Sequence, residues 1–401
     1  MIFPIHKKVK KGASVTAVAS FSSTQNAKGK IVMQNCSNVQ FTNGLSYAGA
    51  FASKDDGILQ YLATINGEMV ALKSTGLTMG ARTFPQLSGC QTVLWAFDAN
   101  TNTLAVSGNE AVYTLFSGNV KKIANFQADS LAFCQSRLFA LKGKRVYLSN
   151  PTETTFTDEL WIDLPTGCVA LVNNGQLYAV GDNIYKLQLD GNATDVQVKK
   201  LCANVGVVHP QTVCAYGKKI MFVANGNVMT LQNGNLKVVA QTDVTPVCAT
   251  MHQGLYYLFG SVDDQPTATA YNPHSGKVVT IHQAKVVTAT SNGIALLASD
   301  GTNGFELSMA HKKCFWTSQP INFDDQPTTK YLHRLVVQTS TDVEVHVVSN
   351  ARRIYHLKGK DIAQSLLLVG HGKRITVELY ADGAMSVKQL SLTARTSEVS
   401  L

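Results

Sequence analysis

Hydrophobic and polar residues alternate along most of the chain in short runs closed by Gly, Asn or Asp. In Gly175-Gln-Leu177-Tyr-Ala-Val180 and Asn183-Ile184-Tyr-Lys-Leu187 the period is two, with turn residues between the runs. That is the pattern of half-buried strands joined by hairpins. Val, Thr, Tyr and Phe dominate these runs, as strands favour. No 3.6-residue pattern extends beyond about ten residues. Thr152–Leu160 and Asp361–Leu368 are the only stretches with room for a short helix. The fold class read from this pattern is all-β.

A longer period lies over the short one. Second strands of successive hairpin units begin at Leu104, Leu138, Leu177, Ile220, Leu255 and Ile294, a mean spacing of 38 residues. Third strands follow at Val112, Val146, Ile184 and Val228, seven or eight residues on. Met69, 35 residues before Leu104, marks a further, shorter unit. Repeats of about 40 residues with three or four strands are the signature of β-propeller blades. One blade cannot bury both faces of its twisted sheet, so blades stack and close into a circle. The expected architecture is a β-propeller of six to seven blades over residues 53–320. Blades are placed at about 57–85, 91–126, 129–163, 167–201, 209–241, 246–282 and 285–318.

After Pro320 the text changes. A polar link carries Asp324, Asp325 and Pro327, and strands are expected at Leu332–Thr339, Val343–Ser349, Arg353–Leu357, Ile375–Tyr380 and Ser386–Thr393. They form a small β-sandwich-like module over 321–401. Residues 1–52 hold a basic arm and strands at Val15–Phe21, Lys30–Asn35 and Ser46–Ala52, which complete one domain or the other.

Composition sharpens this picture. Of 401 residues 45% are hydrophobic and 15% charged, which excludes intrinsic disorder. No run of ~18 apolar residues is present for a membrane-spanning helix, and the start reads as no secretory signal; no membrane insertion is expected. The net charge is +9, yet the first acidic residue is Asp55. Seven lysines precede it, so the first 54 residues carry +7 and the rest is nearly neutral. Lys7, Lys8, Lys10 and Lys11 make an arm for meeting nucleic acid, an acidic protein surface or solvent alone, and they are the candidate contacts for assembly. The eight cysteines form no CxxC pair and sit in apolar strand text, which fits buried reduced thiols.

Candidate chemistry is sparse. The chain has no GxSxG elbow, HExxH motif, P-loop or GxGxxG after a strand. Sugar-cleaving propeller boxes of the form Ser-x-Asp-x-Gly-x-x-Trp are missing, and only Trp95, Trp161 and Trp316 occur. Alternation puts His346 and His356 on one face of the C-terminal module, where two histidines fall short of a metal-ligand set. His371-Gly372-Lys373-Arg374 is a short basic turn. Asp55-Asp56, Asp263-Asp264 and Asp324-Asp325 read as solvated turn residues. No catalytic residue, metal or cofactor is expected, and the chain reads as a scaffold.

Three segments carry a resemblance. Arg137-Leu-Phe-Ala-Leu-Lys-Gly-Lys-Arg-Val-Tyr-Leu-Ser149-Asn-Pro151-Thr-Glu-Thr-Thr-Phe156 resembles a blade of tailed-phage tail propellers, with its Val-Tyr-x-Ser-x-Pro strand. Val205–Leu231, with Gly206, His209-Pro210-Gln-Thr-Val213 and Asn225-Gly226, resembles the next blade. Met33-Gln-Asn-Cys-Ser-Asn-Val-Gln-Phe-Thr-Asn-Gly44 resembles the entry strand. The family is that of short-tailed bacteriophage tail nozzle proteins (tail tubular protein B) and the related packaged-DNA stabilisation or tail-hub proteins. The resemblance implies a virion structural protein, not an enzyme, assembled in the bacterial host cytoplasm. It implies a ring of copies, a homo-hexamer, below the portal and adaptor. Such a head–tail connector ring contacts other tail proteins, retains packaged DNA and passes it non-specifically during ejection. A ligand- or receptor-binding propeller of the adhesin kind is the alternative.

Overall fold

A computed structural model of the chain describes residues 14–23, 25, 27–41, 44–150, 155–189, 196–308, 313–323, 329–382 and 385–396. It divides into two compact units. The described residues of Phe51–Lys277 and Gln283–Ser308 make one; those of 14–50, 278–282 and 313–396 make the other.

The first unit is a β-propeller. Six four-stranded antiparallel blades occur among its described residues. Blade 1 is Gln60–Ile65, Glu68–Lys73, Gly76–Met79 and Arg82–Phe84. Blade 2 runs from Leu94–Asp98 to Asn119–Ala124, blade 3 from Ser130–Cys134 to Phe156–Asp163, and blade 4 from Cys168–Asn173 to Val196–Cys202. Blade 5 comprises Cys214–Tyr216, Lys219–Ala224, Asn227–Gln232 and Asn235–Gln241. A further antiparallel meander follows, with Thr245–His252, Leu255–Val262 and Gln265–Tyr271. The last blade takes Thr288–Ser291, Leu296–Ser299 and Asn303–Ser308, and its outermost strand is Ala50–Asp56 from the other end of the sequence. The two ends of the repeat are thereby zipped into one sheet, which closes the circle without a free edge there.

The hairpins follow from residues that tolerate positive φ. Asn66-Gly67 and Asn225-Gly226 have φ of 50°/83° and 49°/70°, as a two-residue type I′ turn requires. In blades 2, 3 and 4 the second strand is almost wholly buried: Leu104–Gly108, Arg137–Leu141 and Leu177–Gly181 face neighbours on both sides. Each seam also carries a polar stitch. Val93 N donates to Gln60 Oε1 (2.9 Å), Ala128 N to Ser107 Oγ (2.8 Å) and Leu171 N to Ser130 Oγ (2.8 Å). Asn225 Nδ2 donates to Val205 O (3.2 Å), Tyr256 Oη to Thr212 O (2.8 Å), and Thr290 Oγ1 to Leu62 O (3.1 Å). His252 Nδ1 and Ser291 Oγ are 2.9 Å apart. These bonds satisfy buried polar groups where two apolar blade faces meet, and so fix the register between blades.

The second unit is a β-sandwich. One sheet runs Ala363–Leu367, Lys330–Thr339, Ser386–Thr396, Ser14–Ser20; the other runs Arg352–Leu357, Val343–Val348, Thr376–Asp382, Lys313–Ser318, Lys30–Ser37. A parallel pairing of Ser14–Ser20 with Lys30–Ser37 joins the two. Between them lies a core that includes Ile31, Trp316, Leu335, Val345, Leu379 and Leu392. Trp316 is fully buried, donates Nε1 to Phe21 O (3.0 Å) and meets the Phe21 ring edge-on at 5.3 Å.

Several expectations are corrected. The blade expected at 285–318 ends at Ser308; Lys313–Ser318 is a sandwich strand, and Ala50–Asp56 supplies the fourth blade strand instead. Neither stretch with room for a helix forms one among its described residues. Phe156–Asp163 pairs with Arg145–Ser149, and Ala363–Leu367 pairs with Lys330–Thr339. Cross-strand partners outweigh the weak local helical preference there.

Candidate functional site

The innermost strands of all seven propeller meanders surround one cavity of about 380 Å³. Gln60, Trp95, Ser130, Ala170, Gln211, Ala249, Thr250, Thr288 and Ala289 are among its walls. Small side chains recur because seven sheets converge on one axis and leave each innermost strand little room. Asp129 is the one acidic residue in this lining, and its carboxylate accepts from Gly143 N at 2.6 Å. No lysine, arginine or histidine lines the cavity. Cys214 and Cys248 reach it, but burial pushes the Cys214 thiol up to about 12 and raises Cys248 as well. Neither offers a thiolate nucleophile near neutral pH. The cavity lacks the cations that hold a phosphate backbone and the paired groups that acid–base chemistry needs.

Charged groups gather instead on the outer face of a sandwich sheet. Register places Glu344 opposite His356 and opposite Tyr380, and His346 opposite Glu378. With a two-residue period these side chains share one face. His346, largely buried, is bracketed by carboxylates: Nδ1 lies 3.2 Å from Glu378 Oε2, and Nε2 bonds Glu344. Arg352 bonds Glu378, and His356 Nδ1 lies 3.4 Å from Glu344 Oε2. Glu378 also draws a hydrogen bond from Tyr380 Oη (3.1 Å) and holds the Arg352 guanidinium above its ordinary range. The face thus joins the two histidines that alternation had paired, through Glu344. Sequence reading missed Glu344, Glu378 and Arg352, although all three stand in the same alternating text. The arrangement is a charge network and not a metal centre: no group of three or more His, Cys, Asp or Glu able to hold an ion occurs among the described residues.

The other sequence candidates disperse. Lys7, Lys8, Lys10 and Lys11 lie outside the described residues, as do Asp324 and Asp325. Asp55 accepts a 2.8 Å hydrogen bond from Tyr61 Oη, and Asp263-Asp264 form a hairpin turn with φ of 48° and 61°. No disulfide joins the described cysteines; burial lifts Cys36, Cys168 and Cys314 to about 12. No helix among the described residues is long and apolar enough to cross a membrane.

The sandwich also exposes apolar side chains in a cluster of sequence. Ile362, Leu367 and Val369 are 62%, 78% and 73% exposed, on and beside the strand Ala363–Leu367. That strand pairs only with Lys330–Thr339 among the described residues, so its other edge presents open backbone groups.

No family model and no curated protein sequence matches the chain. Solved structures resemble it distantly. Regucalcin, a calcium-binding protein of Agrobacterium tumefaciens, is 15% identical over 55% of this chain and 92% of its own, with a TM-score of 0.39. The WD40 repeats of RRP9 are 9% identical over 65% of this chain and 99% of theirs, with a TM-score of 0.47. The AfRom2 CNH domain is 9% identical over 65% and 97%, at 0.46. The propeller assignment rests on the strand pairing described above.

Proposed function

We propose that the protein is a structural, non-catalytic subunit of an assembly of the phage tail nozzle or hub type, in which copies join edge to edge through the sandwich. The observation that carries this reading is the open strand Ala363–Leu367 with Ile362, Leu367 and Val369 exposed beside it. An unpaired edge flanked by apolar side chains is a template for strand addition, and a chain that leaves one exposed gains by covering it. A second copy is the occupant in this reading, since one heterologous contact repeated around an axis closes a ring. Two further observations support it. The propeller cavity holds no reactive constellation, and the stitched seams make the blades a stiff block suited to bearing load. The three phage-like segments set the context.

The test is the mass of the purified protein by light scattering, with electron microscopy for rings. The full chain is expected to form closed oligomers, and the doubly substituted I362K/L367K chain to remain monomeric with an unchanged circular dichroism spectrum. A monomeric wild-type chain at all accessible concentrations, or rings that survive both lysines, would overturn the reading.

A further inference from the structure

Blade 5 holds a feature that the assembly reading does not use. Lys219 pairs across strands with Gln232, Gln232 with Asn235, and Thr230 with Lys237. Cross-strand partners and residues two apart share a face, so Lys219, Gln232, Asn235, Thr230 and Lys237 all project from the same side of the sheet. The turn Pro273–Ser275 of the following meander stands against this side and encloses a groove of about 540 Å³. The turn is held rigidly. Asn272 Oδ1 accepts from the amides of His274 (2.9 Å) and Ser275 (3.2 Å), and Gly276 (φ +69°) lies where a Cβ would come within 1.9 Å of Val239 O. Only glycine lets the backbone approach blade 5 so closely.

Two cationic side chains, Lys219 and Lys237, face the groove, with His274 beside them. No carboxylate lines it. Lys219 Nζ lies 3.2 Å from His274 Nδ1, and because an ammonium has no lone pair to offer, the ring nitrogen accepts and its proton sits on Nε2. Tyr216 packs edge-on against the His274 ring, at 6.1 Å between centroids, and keeps it in place. At the floor stands Thr230, 5% exposed, whose Oγ1 has no hydrogen-bond partner. Buried hydroxyls are almost always bonded, and one left open in a groove rimmed by lysines marks a place where a ligand oxygen completes the set. Two lysines, a hydroxyl and amide side chains, with no opposing acid, make a site for a compact, multiply charged oxyanion.

We propose that this groove binds a phosphate group, free or as the monoester end of a small organic molecule, through Lys219, Lys237 and Thr230. Gln232 and Asn235 then face the body that carries the phosphate. The proposal is independent of the assembly reading: binding is measured on the groove, oligomeric mass on the sandwich edge.

Isothermal titration of the full chain at constant ionic strength, with inorganic phosphate and separately with ribose 5-phosphate, tests it. Saturable binding of at least one probe is expected, weakened about tenfold or more in K219Q/K237Q, as loss of charge-assisted bonds implies. T230V should weaken binding by about threefold and leave the melting temperature equal or higher, since the hydroxyl it removes has no partner in the free protein. Tighter binding of ribose 5-phosphate assigns the site to a monoester; equal or tighter binding of inorganic phosphate assigns it to the free ion. Absence of saturable binding by both probes, or wild-type affinity in folded K219Q/K237Q or T230V, overturns the proposal.

Discussion

The propeller and the sandwich are both made of alternating strands, yet they spend their polar residues differently. In the propeller they are turned inward to the seams: Gln60, Ser107, Ser130, Tyr256 and Thr290 bond the neighbouring blade. What remains at the centre is a small cavity with one acidic residue, Asp129, in its lining. In the sandwich the interior is apolar, and charge is displayed on an outer face, from Arg352 through Glu378, His346 and Glu344 to His356. The apolar strand edge is displayed there as well. A repeat closed on itself needs its polar groups for register, because every blade face looks like every other. Two sheets with one apolar core between them settle their register chiefly by burial, which frees the outer faces for recognition.

The largest effect that would break this contrast is on Trp316. Replacing it with alanine removes the largest fully buried side chain of the sandwich and leaves a cavity beside Phe21. The expected loss is about 4 kcal/mol. Hydrogen exchange read by mass spectrometry should show protection falling in Lys30–Ser37 and Lys313–Ser318 but not in Arg137–Lys142 of blade 3. Equal loss in both units would show that their cores are not separately stabilised.

Acid gives the next effect, again in the sandwich unit. Burial holds His282 down to about 4 from an ordinary 6.5, with a 3.1 Å contact from Nδ1 to Gly49 O working weakly the other way. Above pH 6.5 neither folded nor unfolded chain protonates this ring, and it costs nothing. Between pH 6.5 and 4 the unfolded chain takes up a proton that the folded chain refuses, so stability falls as pH falls. At pH 4.5 the loss amounts to roughly 2.5 kcal/mol. Urea melts of wild type and H282Q at pH 7 and 4.5 check it: the variant should lose that much less stability on acidification. An unchanged difference would show that the ring is solvated.

The repeat, the all-β class and most blade strands were legible because alternation and hairpin residues are local properties. Asn225-Gly226 announces its turn in the sequence, and Leu104, Leu138 and Leu177 fall inside second blade strands as spaced. Long-range pairing was not legible. Lys313–Ser318 alternates just as a fourth blade strand would, and nothing local says that its partners are Lys30–Ser37 and Thr376–Asp382. Ala50–Asp56 gives no sign that it closes a sheet begun more than two hundred residues later. The charge network was half visible: two histidines at alternating positions were read, but a carboxylate between them is informative only once register is known. The groove on blade 5 was invisible for the same reason, since Lys219, Thr230 and Lys237 come together by cross-strand register and by a turn from the next meander.

The smallest effect concerns the seam where the circle closes. Tyr61, at the start of blade 1, donates to Asp55 Oδ2 on the strand that completes the last blade (2.8 Å). Its ring lies so near Gly304 that a Cβ there would come within 2.0 Å of Oη. Ser299 Oγ donates to Ile58 O at 2.7 Å in the same seam. Replacing Tyr61 with phenylalanine keeps the ring and removes one hydrogen bond to a charged acceptor that is partly exposed. The expected cost is about 1 kcal/mol, read as a lower urea midpoint with an unchanged slope. If seams are stitched by polar groups, this loss should exceed that of R145K in blade 3, where an exposed pair with Asp163 contributes little. Equal losses would mean that the closing seam is held by its apolar contacts alone, and the propeller would then resemble the sandwich in the way it fixes register.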